Sequence, residues 1–504
     1  MKAEPKFSGL VLLPRYKDDN DMTREDLVAK VWNMAHVLRE EGISYGDYLE
    51  QITYLLFLKM DEERESLLGE PSRVPKGCRW ADFAYLTGEA LESQYNDILK
   101  ELVKTTGFMG TIFKGAQNKF NNPARLTKVI SLINAEKWLG LDVDVKGEIY
   151  EGLLEKNASE VASGAGQYFT PRPLIDTIVE VVDPPLGKTV HDPACGTSGF
   201  LLSAYEHMKN KVSGDREQAK QLREETFSGT DIVQDVVRLS AMNMYLHGIG
   251  GDVSPVTRAD ALSKRGTSYG TILTNPPFGK KSSFKNIDAD GEIVTETESY
   301  EREDFKYTTS NKQLNFLQHI MSTLETNGEA AVVLPDNVLF EAGSAGEGIR
   351  KRLLEQFDFH TLLRLPTGIF YKPGVKANVL FFTAKAASKT AQTEQLWIYD
   401  FRTNKHFTLK RNGLRRTDLN DFADCYKSEE RHKREPSERF KAFSYDDLIA
   451  RDKTNLDIFW LKDDSLEDVD ALPAPDIIAA DIVENLREAL EHFSDVDEAL
   501  SVLD

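Results

Sequence analysis

Asn275-Pro276-Pro277-Phe278 is the stretch whose residue types do the most chemistry. It closes the apolar run Thr271-Ile272-Leu273, and two consecutive prolines stop a strand from continuing. A rigid loop is thereby presented at a strand's carboxyl end, where open α/β sheets bind their ligands. A side-chain amide, proline carbonyls with no competing N–H and an aromatic face suit a planar base that carries an exocyclic amine. The bland reading is a Pro-Pro turn, and a cofactor site upstream decides between the two.

Such a site is written in His191-Asp192-Pro193-Ala194-Cys195-Gly196-Thr197-Ser198-Gly199-Phe200, between the β-prone Lys188-Thr189-Val190 and the helical run Leu201-Leu202-Ser203-Ala204-Tyr205. Strand, glycine turn and helix is the order that aims backbone N–H groups at a ligand. The glycines are spaced G-x-x-G, so the dinucleotide fingerprint G-x-G-x-x-G is not met. Small residues let the backbone approach a nucleoside closely, and Asp192 at the strand end suits a cationic amino group. Further acids follow in series. Phe227 to Asp231 reads as a second strand whose terminal carboxylate can accept two ribose hydroxyls at once, and Asp260 ends a third, facing an adenine amino group. With the glycine loop and the proline loop, these acids favour S-adenosylmethionine as cofactor. Singly, each is a solvated strand end or a helix cap.

Gly166-Gln167-Tyr168-Phe169-Thr170-Pro171-Arg172-Pro173, then residues 192–200, then Asn275-Pro276-Pro277-Phe278 resemble the N6-adenine DNA methyltransferases in which the amino-proximal cofactor motif comes first. More closely, the chain resembles the HsdM-like modification subunit of type I restriction–modification systems. The resemblance implies cofactor contacts from Gln167, Tyr168, Phe169, Thr170, Pro171 and Arg172, from Gly196, Thr197, Ser198 and Gly199, and from Asp231. It also implies double-stranded DNA as substrate and a separate specificity subunit that two modification subunits share. A restriction/translocase subunit would complete the assembly. Ser198 stands where many relatives carry Gly or Ala.

With 504 residues, 40% hydrophobic, the chain is long enough for two or three domains. It carries no apolar run that would span a bilayer and no signal-peptide pattern, so a cytoplasmic enzyme is expected. Cys78, Cys195 and Cys425 show no C-x-x-C spacing, and neither a disulfide framework nor a metal site is expected. The net charge of -20 is unusual for a DNA-binding enzyme, since phosphate binding relies on clustered Lys and Arg. A partner is expected to supply much of the grip. Two local basic clusters, residues 402–416 and 427–434, read either as DNA contacts or as a solvated surface of mixed sign.

The chemistry needs three parts to position it. Residues 1–160 read as an amino-terminal helical domain, with apolar spacing at Leu27, Val31, Met34 and Leu38 and again at Ile52, Leu55, Leu56 and Met60. Residues 161–385 read as a doubly wound, Rossmann-like α/β methyltransferase domain. Within it, residues 279–306 are polar and expected to be a long structureless insertion, and Phe370 and Tyr371 are candidates to stack on a base. Residues 386–504 form a carboxy-terminal region that begins with a strand-like Leu396-Trp397-Ile398-Tyr399. It ends in an amphipathic helix carrying Ile478, Ile482, Leu486 and Leu490 at helical spacing, the partner-binding element by resemblance.

Other readings are a self-sufficient DNA adenine or cytosine-N4 methyltransferase, an amine methyltransferase acting on RNA or protein, and a non-catalytic DNA-binding scaffold. Length and flanking domains argue against the other amine substrates. The complete set of acids with an intact proline loop argues against the scaffold. A nucleotide-driven subunit fails on its loop: Gly187-Lys188-Thr189 is the tail of a phosphate loop, but Val182 stands where its first glycine belongs.

Overall fold

A computed structural model describes residues 45–138, 170–279, 282–287, 293–370, 375–405 and most of 407–461, with isolated positions near the carboxyl end. The expected boundary near residue 160, the helix carrying Leu27 to Leu38, and Gln167, Tyr168, Phe169 and Tyr371 lie outside them.

The amino-terminal part is helical. Helix α1 (Tyr45–Leu68) buries Ile52, Leu55, Leu56 and Met60, the stripe expected from spacing. It stops at Gly69, whose φ of 68° suits the residue just past a helix end, with Pro71 beyond. Helix α2 (Gly88–Val103) packs on α3 (Pro123–Asn134), which in turn packs on α1. Asn122 caps α3 by accepting from the Ala124 N–H at 2.9 Å.

The rest is built on one nine-stranded sheet. Its strands are β1 (Val190–Asp192), β2 (Phe227–Asp231), β3 (Val256–Arg258), β4 (Tyr269–Thr274), β7 (Leu324–Pro335), β8 (Phe357–Arg364), β9 (Ala377–Ala384), β10 (Gln395–Asp400) and β11 (Phe440–Ser444). Their spatial order is β11-β10-β8-β9-β7-β4-β1-β2-β3. All pairings from β3 to β7 are parallel, and β9 runs antiparallel between β7 and β8. The sheet is doubly wound because alternate residues feed two separate cores. Leu273, Ala331, Val333, Val379 and Phe381 enter one, and Ile272, Ala330, Val332, Leu380 and Phe382 the other, as a period of two requires.

Two features depart from expectation. Residues 279–306 are not a structureless insertion: β5 (Ser282–Ile287) and β6 (Ile293–Glu298) pair as an antiparallel ribbon, with Ile287 opposite Ile293. The β-branched run Ile293, Val294, Thr295 and Thr297 gives β6 its strand preference, which the surrounding charges mask in a composition-based reading. The sheet also continues past residue 385, since β10 pairs in parallel with β8 and β11 pairs antiparallel with β10.

Four further helices matter to the site: α4 (Arg172–Val182), α5 (Gly199–Lys209), α6 (Gln234–Leu246) and α7 (Lys312–Thr323). Helix α6 joins the helical part to the sheet. Its buried Arg238 donates to the carbonyls of Ile112 and Lys114, both at 3.1 Å, and pairs with Glu50 at 3.0 Å. The Tyr245 hydroxyl donates to Asp61 at 2.8 Å and accepts from the Arg73 N–H at 3.0 Å. Buried polar contacts of this kind lose their partners if the two parts separate, so they resist hinge motion. No described helix is long and apolar enough to cross a membrane.

Candidate active site

The carboxyl ends of β1, β2 and β4, with the loop after β3, open into one cleft of about 1300 Å³ that includes solvent-open space.

The loop after β1 forms one wall. It is fastened to β2 by the Cys195 N–H donating to the Thr230 carbonyl at 2.9 Å. Gly229 makes that approach possible: a Cβ there would lie 2.9 Å from Cys195 Cβ and Sγ. The turn then uses left-handed backbone at Gly196 (φ 53°) and at Ser198 (φ 71°, ψ 26°). A non-glycine residue is disfavoured in that region. Ser198 is fully buried, and its hydroxyl hydrogen-bonds that of Ser240 on α6. The Asn243 side chain donates to the Thr197 carbonyl at 3.0 Å, holding the same turn from the other side. Cys195 is buried, and burial pushes its thiol well above the usual range, which removes it as a nucleophile.

Asp231 organises the floor. One carboxylate oxygen accepts from the Gly196 N–H at 3.2 Å and the other from the Val233 N–H at 2.9 Å. Each oxygen has a second lone pair, so two hydroxyl donors can still be received. Asp192 is 2% exposed and accepts from the Ala194 N–H at 3.0 Å. Burial pushes its carboxyl up to about 7, opposed by hydrogen bonds from Thr274 and Ala194 and reinforced by the nearby charge of Asp231. Burial also raises Asp231 from the ordinary carboxylate range. Asp260 lines the cleft beyond β3, its carboxylate accepting from the Leu262 N–H at 2.9 Å.

The proline loop forms the opposite contribution. Asn275 and Pro277 line the cleft, Pro276 is buried, and Phe278 is half-buried. The Asn275 amide nitrogen donates to the Thr170 hydroxyl at 2.8 Å, which fixes the arm of the carboxamide that faces Thr170. Phe278 meets Phe370 edge to face, with centroids 5.8 Å apart at 73°. Phe370 is 1% exposed, so it backs Phe278 and does not present a stacking face.

Thr170, Asp192, Gly196, Thr197, Gly199, Asp231, Asp260, Asn275 and Pro277 therefore share one cleft. Ser198 faces α6, and Arg172 sits behind the wall, donating to the Gly199 carbonyl at 3.1 Å. Pro171 stands at the start of α4, next to Thr170 but not itself lining the cleft. Sequence reasoning missed Ile232, Val233, Tyr300, Lys312 and Phe316. Ile232 and Val233 are 60% and 39% exposed, an apolar wall open to the cleft, and their signal was an apolar pair directly after a strand-ending acid. Tyr300, Lys312 and Phe316 reach the cleft only through tertiary packing.

The glycine loop, the acids and the apolar wall fit S-adenosylmethionine. Backbone N–H groups, hydroxyl-accepting carboxylates and an exposed apolar surface match a nucleoside that carries positive charge. Among the described residues no cluster of His, Cys, Asp and Glu would hold a metal ion.

The basic clusters are mostly neutralised within the fold. Arg402 pairs with Asp400 at 2.8 Å and Asp457 at 3.5 Å, Arg415 with Asp418 at 3.5 Å, and Arg416 with Glu180. Lys433 pairs with Glu430, and Arg434 is buried, donating to the Tyr426 and His360 carbonyls at 2.6 and 3.1 Å. The phosphate-loop reading also fails in three dimensions, because Gly187 turns into β1 and does not follow a strand.

Comparison with known proteins places the whole assembly. The N-6 DNA methylase family model matches residues 141–460, and the HsdM N-terminal domain model matches residues 27–133. The methylase subunit of the type I restriction enzyme StySJI of Salmonella typhimurium is 37% identical over 93% of this chain and 94% of its own length. That of EcoKI from Escherichia coli K12 is 36% identical over 94% of each. The crystal structure of a modification subunit of a putative type I restriction enzyme from Vibrio vulnificus superposes with a TM-score of 0.70 at 26% identity, covering 87% of this chain and 96% of that one. The chain belongs to the N-6 DNA methylase family and, within it, to the methylase subunits of type I restriction–modification systems, which makes it a DNA adenine-N6 methyltransferase.

Proposed function

We propose that this cleft methylates the N6 amine of an adenine flipped out of double-stranded DNA, at sites chosen by a separate specificity subunit. The observation that carries the reading is the convergence of Asp231, the glycine loop and Asn275 in a single cleft. When bound, S-adenosylmethionine supplies an electrophilic methyl on a sulfonium. Asp231 receives the two ribose hydroxyls, Asp260 faces the cofactor's adenine amine, and Asp192 holds its ammonium. Gln167, Tyr168, Phe169 and Thr170 contact its amino-acid end, and Arg172 acts from behind by holding the Gly199 carbonyl, with Pro171 starting its helix. Ile232 and Phe316 supply apolar contact.

The adenine N6 lone pair is delocalised into the ring. Hydrogen bonds from that amine to the Asn275 side-chain oxygen and the Pro276 carbonyl favour a pyramidal nitrogen with the lone pair available. Phe278, held by Phe370, stacks on the base. Orientation and preorganised acceptors do most of the work. The methylated amine then loses its proton to solvent, so no strong base is needed. A stacked, paired adenine cannot reach such a loop, and flipping follows. Labelled methyl from the cofactor should enter DNA; entry into RNA or protein instead would overturn the reading.

The raised Asp192 predicts a pH dependence. Its folded value of about 7 lies above the ordinary 3.8, so the free site favours the protonated form. That contribution to the stability of the free protein is present below about pH 4 and is lost as pH rises to about 7. Holding an ammonium requires the ionised form, so cofactor affinity has the opposite sign. It should fall as pH drops below 7, approaching about tenfold per unit. Calorimetry between pH 6 and 8 checks this, and a flat profile would remove Asp192 from the ammonium.

In the assembly, two copies join one specificity subunit and, for restriction, a translocase subunit, acting in the cytoplasm. Near the carboxyl end Ile482, Val483 and Leu486 are 53%, 46% and 64% exposed, an apolar surface suited to the specificity subunit.

A further inference from the structure

Lys312 is a cation in a cleft furnished with carboxylates. It shares the cleft with Asp192, Asp231 and Asp260, which serve a cofactor carrying sulfonium and ammonium charges, and a lysine there repels that cofactor. It is also the first residue of α7, a twelve-residue helix with no acid in its first turn. Helix amino ends carry partial positive charge and favour acids, so a lysine at this position works against the helix. A residue that breaks a local rule in a binding cleft is best explained by what it binds.

Asn311 caps α7 through its side-chain oxygen, which accepts from the Leu314 N–H at 3.1 Å. Asn311 is 6% exposed, and its amide nitrogen has no acceptor among the described residues. An ammonium that lines the cleft from a helix amino end calls for an anion, and the Asn311 amide lies outside the lining residues.

On the methyltransferase reading two anions are candidates, the cofactor carboxylate and a DNA phosphate, and the position of α7 favours the second. Buried Arg302 donates to the Ala261 and Leu262 carbonyls, each at 3.3 Å, and bonds His319 of α7 at 3.0 Å. Helix α7 is thus fastened to the Asp260 loop, the adenine end of the cofactor in our reading. The amino-acid end lies instead by Asp192 and by Gly199, which Arg172 holds. We propose that Lys312 grips a phosphodiester of the target strand beside the flipped adenine. The assignment rests on the methyltransferase reading above. Such a contact sets register and carries no sequence information. It also gives an acidic protein a local cation, where Arg402, Arg415 and Arg416 of the basic cluster are already paired.

The test uses Lys312→Met, which keeps the apolar stem, and Lys312→Arg, each assembled with the specificity subunit. Lys312→Met should raise KM for DNA roughly five- to tenfold and lower the salt slope of DNA binding by about one. Its kcat at saturating DNA should change much less, and its cofactor affinity should be unchanged or tighter. Lys312→Arg should retain most DNA affinity. An unchanged KM and salt slope in the Met variant would overturn the proposal. Weakened cofactor binding would also overturn it, assigning Lys312 to the carboxylate. The wild-type complex on the same DNA separates these results from failure of the methyltransferase reading itself.

Discussion

Asn275→Ala should bind S-adenosylmethionine nearly as well as the wild type and transfer almost no methyl. Its side chain lines the cleft beside Thr170, whose hydroxyl takes its amide nitrogen at 2.8 Å, and its proposed work is done on the target amine. Loss of one preorganised hydrogen-bonding group in an active site costs roughly 10²–10³ in kcat, and here the same group also orients the nucleophile. Single-turnover transfer at saturating cofactor and DNA, paired with calorimetry for the cofactor, reads the two quantities separately. Wild-type turnover in a folded variant would remove Asn275 from the chemistry. Phe278→Ala should act in the same direction through lost stacking, and Phe278→Tyr should retain part of the activity, since its edge-to-face seat on Phe370 remains.

Asp231→Ala should have the reverse signature. Charge-assisted hydrogen bonds are worth about 1.5–3 kcal/mol each, so losing the ribose contacts weakens cofactor binding by at least roughly tenfold. The structure adds a second cost. Both carboxylate oxygens already bind backbone, at Gly196 and Val233, so the substitution also frees the glycine loop. Asp231→Asn separates the effects, because it preserves size and one acceptor. It should restore part of the loop geometry without the charge. Unchanged calorimetric affinity in the alanine variant would show that the ribose is held elsewhere.

The parts of the site that were legible in sequence are those encoded locally. A strand, a glycine turn and a helix are adjacent along the chain, so residues 190–202 announce their own geometry. The same holds for Asn275-Pro276-Pro277-Phe278, where the prolines end β4 by covalent constraint. What was not legible depends on pairings between distant residues. Lys312 and Phe316 belong to a helix whose sequence shows only an amphipathic pattern, and packing alone turns them toward the cleft. Arg416 reads as part of a basic cluster until the fold places Glu180 beside it, and Arg402 until Asp457 arrives. The boundary expected at residue 385 falls within the sheet, because the ladder from β8 to β10 joins distant residues across it. Ser198 shows how a local signal can mislead in detail. It belongs to the glycine loop in sequence, yet its left-handed backbone turns the hydroxyl into α6 and away from the cleft.

The most direct test of the account is the identity and position of the base modified by the purified chain, alone and with its specificity subunit. After reaction, DNA would be digested for nucleoside analysis, and the modified sites would be mapped on both strands. The account predicts N6-methyladenine in a two-part site, one on each strand, formed efficiently only when the specificity subunit is present. N4-methylcytosine as the product, or efficient site-specific methylation by the isolated chain, would contradict it.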